Sequence, residues 1–250
     1  MYPSVVAHFQ PIVSLKTGKA VGFEALARVT GEGNGRSEPG AQWSDDGTLV
    51  QTMVEQAAAA LENWRDAPGG AAMFVQVNVT GKDVLRGDLA NLISAVRSRH
   101  KLPAGAIILE MTEHLPITDM DQTVQALAAV KAAGVGLVLD DFGSGYSSLA
   151  WLHDLPLDGL KIDGGLTRKL GSERGNVILA ATVQLGHALG LRVTAEGVED
   201  RDHGRQLRAI GVDQVQGFAY GRPMAADDLL TCLQTGQLLS DCVLTDGVNE

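Results

Sequence analysis

Five apolar, strand-like runs in the middle of this chain each end on a residue able to hold a metal ion or a phosphate. Residues 73–77 run into Asn78, 106–109 into Glu110, 135–139 into Asp140 and Asp141, 157–160 into Lys161 and Asp163, and 191–195 into Glu196. Where parallel strands close into a barrel, their C-terminal ends converge on one face, and residues far apart in sequence surround one pocket. Every donor in the set except Lys161 offers oxygen, which predicts a hard cation, Mg²⁺ or Mn²⁺ first. The six histidines (His8, His100, His114, His153, His187, His203) include no pair at HxH or HExxH spacing, so a nitrogen-rich zinc site is not expected.

Asp140 and Asp141 are the most telling pair, because adjacent carboxylates at a strand end repel one another unless a divalent cation neutralises them. One acid can bridge two ions while its neighbour holds the second, and two ions about 3.5–4 Å apart clamp an in-line displacement at phosphorus. The segment that follows, Phe142-Gly143-Ser144-Gly145-Tyr146-Ser147-Ser148, is a glycine-rich rim loop able to close over a ligand or meet a partner subunit. Lys161, a cation among acids, suits a phosphate oxygen or a water. Blander roles compete at some positions: Asn78 suits the cap of a helix starting near Gly81, Glu196 suits a helix N-terminus, and Glu199 is evenly placed between a structural and a site role.

The elements that must position these groups follow from hydrophobic periodicity. Strands over 5–13 and 20–29, joined by the turn Lys16-Thr17-Gly18-Lys19, predict an antiparallel pair. The polar, glycine-rich stretch 30–47 reads as a surface loop, and helical spacing follows over 48–64. Strands then alternate with helices near 85–100, 119–133, 176–189 and 201–210. Asn78 and Glu110 are 32 residues apart, Glu110 and Asp140 are 30, and Lys161 and Glu196 are 35, each interval suiting one strand-helix unit. The prediction is one α/β domain over 1–236, a TIM-type (β/α)8 barrel, with a weakly patterned appendage over 237–250.

Composition narrows the partners. At 250 residues and 45% hydrophobic content the chain supports one large core, and its formal charge of −10 disfavours a broad basic face for DNA or RNA. Cys232 and Cys242 alone make neither a disulfide framework nor a thiolate zinc motif, which favours a reducing cytoplasm. No stretch reads as a secretion signal or as a run of about 18 apolar residues, so membrane insertion by this domain is not expected. The strand-like pattern starts almost at once, as in a domain joined to a longer, membrane-tethered or signalling polypeptide.

Glu24-Ala25-Leu26, after Phe9-Gln10-Pro11-Ile12-Val13 and before Arg28, matches the signature of the EAL family of cyclic di-GMP phosphodiesterases. The chain also resembles that family at Asn78, Glu110-Met111-Thr112-Glu113, 140–149, Leu160-Lys161-Ile162-Asp163, Ala195-Glu196-Gly197-Val198-Glu199, Gln216-Gly217-Phe218 and Arg222-Pro223. The resemblance covers roughly 5–230, and the ordered set is far more specific than any tripeptide. It implies a TIM-type barrel with one antiparallel strand and metal-dependent hydrolysis of cyclic di-GMP to linear pGpG, with a catalytically silent cyclic di-GMP sensor as the alternative. By the same resemblance Glu24, Asn78, Glu110 and Asp140 bind a first metal, and Asp140, Asp141 and Glu196 serve a second. Lys161 positions the water or steadies developing charge, Arg28 contacts phosphate, and Gln10 and Gln216 contact substrate. Glu113 holds the 142–148 loop from behind the ligands, and Asp163 and Glu199 support the site. Which carboxylate takes the proton stays open. A homodimer near Gly143 is also implied. Two departures stand out: a polar, glycine-rich replacement between Val29 and Leu49, and Gly164-Gly165-Leu166 where the family has Arg-Ser-Phe, which removes a cation and an aromatic near the rim.

Overall fold

The computed structural model describes residues 4–30, 47–112, 120–144 and 149–236. Within them eight strands close into a barrel in chain order: β1 (Ser4–Ser14), β2 (Ala20–Thr30), β3 (Phe74–Val79), β4 (Ile107–Thr112), β5 (Gly136–Phe142), β6 (Gly159–Ile162), β7 (Arg192–Ala195) and β8 (Gln214–Val215). β1 runs antiparallel to both neighbours, β2 and β8, and every other pairing is parallel. This is the TIM-type barrel with one antiparallel strand that the sequence predicts.

The helices are α1 (Thr48–Trp64), α2 (Gly81–Leu85), α3 (Leu89–Arg99), α4 (Met120–Ala132), α5 (Leu149–Asp154), α6 (Gly164–Thr167), α7 (Glu173–Ala188), α8 (Arg201–Ile210) and α9 (Ala226–Thr235). The helix expected near 85–100 is α3, which begins at Leu89; the short α2 precedes it, capped by Thr80 through a reciprocal pair with Asp83. Strand β8, only two residues long, and helices α5, α6 and α9 are additions to the predicted elements. The 31–46 loop, the 237–250 appendage, Glu113, His114 and Cys242 lie outside the described residues. Cys232 is buried on α9. Among the described residues no helix is long and apolar enough to cross a membrane.

Two apolar layers hold the barrel. Outside, α1, α3 and α9 pack on the strands through one large cluster centred on Val54, Leu61, Trp64, Val75, Ile107 and Leu137. Inside, Ile12, Phe74, Ile108 and Val138, one each from β1, β3, β4 and β5, plug the lower lumen and leave its upper half to polar residues. Gly22 belongs to this plug by omission: a Cβ there would sit 2.5 Å from the Phe74 ring, so only glycine lets that ring fill the lumen.

Trp64 locks the outer layer. It is fully buried, meets Phe9 and Phe23 edge-on at 5.0 Å, and its indole Nε1 donates to the Ala226 carbonyl at 3.2 Å. Trp64→Ala is expected to cost about 3–5 kcal/mol in urea unfolding; a loss under about 1 kcal/mol would remove α1 and α9 from the core's main seam.

Candidate metal centre

The polar half of the lumen opens at the C-terminal ends of β2–β8, where the sequence places its acids. Side chains alternate across each strand, so Glu24, Glu110, Asp140 and Lys161 point inward from β2, β4, β5 and β6. Lys161 is fully buried, and its ammonium lies 2.5 Å from Glu196, 2.8 Å from Glu110, 3.3 Å from Glu24 and 3.5 Å from Asp140. One cation therefore serves four carboxylates. Neutral donors share the rest: Asn78 Nδ2 donates to Glu24 Oε1 at 2.8 Å, and Gln216 Nε2 donates to Glu24 Oε2 at 2.7 Å and to Gln10 Oε1 at 3.1 Å. With Thr80 acting as the α2 cap, Asn78 is left to face Glu24.

Asp141 reaches the pocket by a backbone irregularity. In a regular strand it would face away from Asp140, but β5 slips register against β6 between Leu139 and Phe142, and Asp141 adopts φ 58°, the left-handed region costly for a side-chain-bearing residue. The bulge turns both acids to one side. Carboxylate oxygens of Asp140, Asp141 and Glu196 lie within 4.8 Å of one another, close enough for one divalent cation to touch all three. A second close approach sets Glu196 beside Gln216: a Cβ on Gly217 would fall 2.2 Å from the Val198 carbonyl oxygen, and the Val198 amide donates to the Gln216 carbonyl at 3.1 Å.

Among the described residues Lys161 is the cation within ion-pair reach of Glu24, Glu110, Asp140 and Glu196, so the acids outnumber the positive charge. Burial pushes Glu110 well above the usual carboxylate range, and its neighbours Glu24 and Asp140 add to that rise against the pull of Lys161. Burial likewise raises Glu196 to about 7. Burial also works against ionisation of Glu24, but Lys161, Asn78 and Gln216 outweigh it and hold that acid low. Burial alone would lower Lys161, yet Glu110, Glu196, Glu24 and Asp140 keep it well above the ordinary lysine value. Glu110 Oε1 touches the ammonium, but neither of its oxygens receives a directed hydrogen bond. Buried, unsatisfied carboxylate oxygens in an acidic cup fit a hard divalent ion.

The cup opens into a cavity of about 290 Å³ lined by Gln10, Glu24, Asp140, Glu196, Glu199 and Phe218, among others. Not every predicted site residue is drawn in. Arg28 shares the Glu24 face of β2 but stands about 13 Å further along the strand at ~3.3 Å per residue, where its Nη1 donates to the Ala27 carbonyl. The Asp163 carboxylate accepts from the Gly165 amide and caps α6, so it shapes the corner after β6. Phe142 packs toward Leu139, Leu152 and Leu160, while Gly143 and Ser144 are exposed on the rim.

Some polar lumen residues escape the sequence reading. Gln76 lies buried two positions before Asn78, and Thr194, two before Glu196, donates to Gln214 Oε1 at 3.2 Å. The alternation inside the β3 and β7 runs carries a signal for Gln76 and Thr194; β8 is too short to carry one for Gln214. Phe218 is exposed at the cavity edge with the Arg222 guanidinium stacked 4.1 Å above its ring.

The EAL domain family model matches residues 3–223. MucR of Pseudomonas aeruginosa, a bifunctional diguanylate cyclase/cyclic di-GMP phosphodiesterase, is 35% identical over 233 residues, 90% of this chain and 34% of MucR. The chain spans about a third of the length of the first relatives it matches. Among solved structures, the MucR phosphodiesterase in complex with c-di-GMP aligns with TM-score 0.81 at 34% identity, covering 90% of this chain and 94% of that one. Klebsiella pneumoniae BlrP1, in a manganese/cy-diGMP complex, aligns with TM-score 0.74 at 28% identity, covering 89% of this chain and 58% of that one.

Two outcomes follow from the electrostatics. Lys161→Met strips the compensating charge from its buried acids and is expected to cost about 3–5 kcal/mol in chelator by urea unfolding; an unchanged midpoint would mean the acids do not depend on it. Glu196, raised from 4.5 to about 7, keeps in the folded chain a proton that the unfolded chain releases across that window, and Glu110 shifts in the same direction. Metal-free stability is therefore highest below the window and falls as pH rises through it, with Lys161 charged throughout. Melting midpoints between pH 5 and 8 in EDTA check this; a rising midpoint contradicts it.

Proposed function

The chain belongs to the EAL domain family, and from that premise we propose that it hydrolyses cyclic di-GMP to linear pGpG with the help of two divalent cations, Mg²⁺ or Mn²⁺. The observation that carries the reading is the cup itself: five carboxylates and an amide around one buried lysine, at the mouth of a barrel. Glu24, Asn78, Glu110 and Asp140 are the ligands proposed for one ion, and Asp140, Asp141 and Glu196 for the other. When bound, such ions supply Lewis-acid polarisation of the phosphodiester and acidification of a water.

The chain's own groups do the positioning. Lys161 holds the attacking water or a phosphoryl oxygen with a charge that burial among acids keeps in place. Gln10 and Gln216, joined to each other and to Glu24, line the cavity where a substrate phosphate or base would rest. Arg28, further up β2, meets a phosphate on a dinucleotide that extends out of the cup. Glu113 is assigned to holding the 142–148 loop, Glu199 to the cavity edge, and Asp163 to the α6 corner; Phe142, Gly143 and Ser144 belong to the rim where a homodimer would form. The water oxygen bonds to phosphorus, the bond from phosphorus to the ribose 3′ oxygen breaks, and that oxygen leaves with a proton. Cyclic di-GMP as ligand and membership of a larger signalling protein are supported by the relatives, which bind or act on that dinucleotide.

The test is turnover: purified chain incubated with cyclic di-GMP and Mg²⁺ or Mn²⁺ should yield pGpG, and EDTA should stop it. Glu24→Gln and Asp140→Asn are expected to lower kcat by about 10³-fold or more with the fold retained by circular dichroism. Saturable binding of cyclic di-GMP without product over hours, with either metal, would replace the enzyme reading with a sensor.

A further inference from the structure

We propose that the opposite end of the barrel carries a second site, a pocket that takes a phosphate-bearing organic anion of nucleotide size. A cavity of about 530 Å³ opens there, below the apolar plug, with Lys16, Arg192, Arg208, Phe74, Asp213 and Gln214 among its lining residues. Its volume is in the range of small-molecule pockets, about 300–1,000 Å³.

Three separate elements bring the cations together. Lys16 sits in the β1–β2 turn, Arg192 opens β7, and Arg208 lies in the last turn of α8. By strand alternation Arg192 shares the lumen side of β7 with Thr194 and Glu196, so its stem lies at the lower mouth. Four basic side chains elsewhere are held by acids: Arg86 meets Asp88, Arg99 meets Glu55, Lys131 meets Asp158 and Arg205 meets Asp202. Among the described residues Lys16, Arg192 and Arg208 have no ion pair and no side-chain hydrogen bond. In a chain of formal charge −10, three unpartnered cations around one cavity are a local reversal of sign.

The acid in the pocket forms an ion pair with none of the three. Asp213 Oδ2 is already 2.9 Å from His187 Nε2 and accepts the Val193 amide at 2.9 Å. Gln214 points the same way: its Oε1 accepts from Thr194, which leaves the amide nitrogen as its remaining polar group, a donor. Phe74, Val21 and Val212 supply an apolar wall for the body of the ligand. Donors and positive charge facing an apolar wall describe a site for an anion with a ring or chain attached, and Arg matches phosphate oxygens in pairs.

The test needs neither metal nor turnover, so its failure and that of the phosphodiesterase reading are separable. The full chain in EDTA is titrated by calorimetry with pyrophosphate and with guanosine 5′-monophosphate; without metal, the acidic mouth repels both. Saturable 1:1 binding of the nucleotide, weakened by salt, is expected. Arg192→Gln with Arg208→Gln is expected to lower the affinity about tenfold or more, while Asp140→Asn at the mouth leaves it unchanged. Should the double variant melt early, Lys16→Gln in the exposed turn is expected to give about a threefold loss on its own. No heat up to about 5 mM ligand, binding indifferent to all three substitutions, or binding that Asp140→Asn alters would each overturn the proposal.

Discussion

The structure is organised around a buried ammonium. Lys161 reaches up from β6 into the centre of the lumen and meets acids delivered by β2, β4, β5 and the turn after β7. Taking ions out of water costs several kcal/mol each, and their mutual attraction repays that only with close geometry and satisfied lone pairs. The barrel supplies the geometry because Glu24, Glu110 and Asp140 hang from strands hydrogen-bonded on both sides, and Glu196 follows directly on β7. It does not supply enough positive charge. Protons on Glu110 and Glu196, or divalent cations, must make up the difference, and the same deficit that weakens the metal-free fold is one a bound divalent ion would relieve.

The dry plug beneath makes this deficit matter. Ile12, Phe74, Ile108 and Val138 close the lumen under the acids, so water cannot enter from below to solvate them. A solvated cup would carry the same charges at little cost and would hold a metal correspondingly less tightly. Apolar floor and acidic ceiling are thus one device, and Gly22, by leaving room for the Phe74 ring, belongs to it as much as any ligand.

Much of this was legible before any coordinates. Asn78, Glu110, Asp140, Lys161 and Glu196 each follow an apolar run, and the one-unit spacing from Asn78 to Glu110, Glu110 to Asp140 and Lys161 to Glu196 tells that they share a face. Glu24 carries no such mark in its own strand and was readable only through the family signature. Three features lay beyond sequence reasoning for physical reasons. The turn of Asp141 into the pocket depends on a β5 bulge, which is decided by pairing with β6 rather than by local propensity. Two residues suffice for β8 because its neighbours β7 and β1 hold it, and so short a segment has no period. Asp163 follows Lys161 closely in the sequence, but that its carboxylate accepts the Gly165 amide is set by the chain's turn into α6.

The reversed first strand has a topological consequence. In an all-parallel barrel the first strand begins at the floor, the face opposite the ligands. Here Ser4 pairs with Thr30 at the top of β2, so β1 descends from the acidic rim and Ser14 reaches the floor beside β8. The chain therefore enters the barrel at Ser4 on the rim side of the cup, and a pull or twist on Ser4 acts on the strand that carries Gln10. Control by a preceding segment would need no relay through the barrel wall.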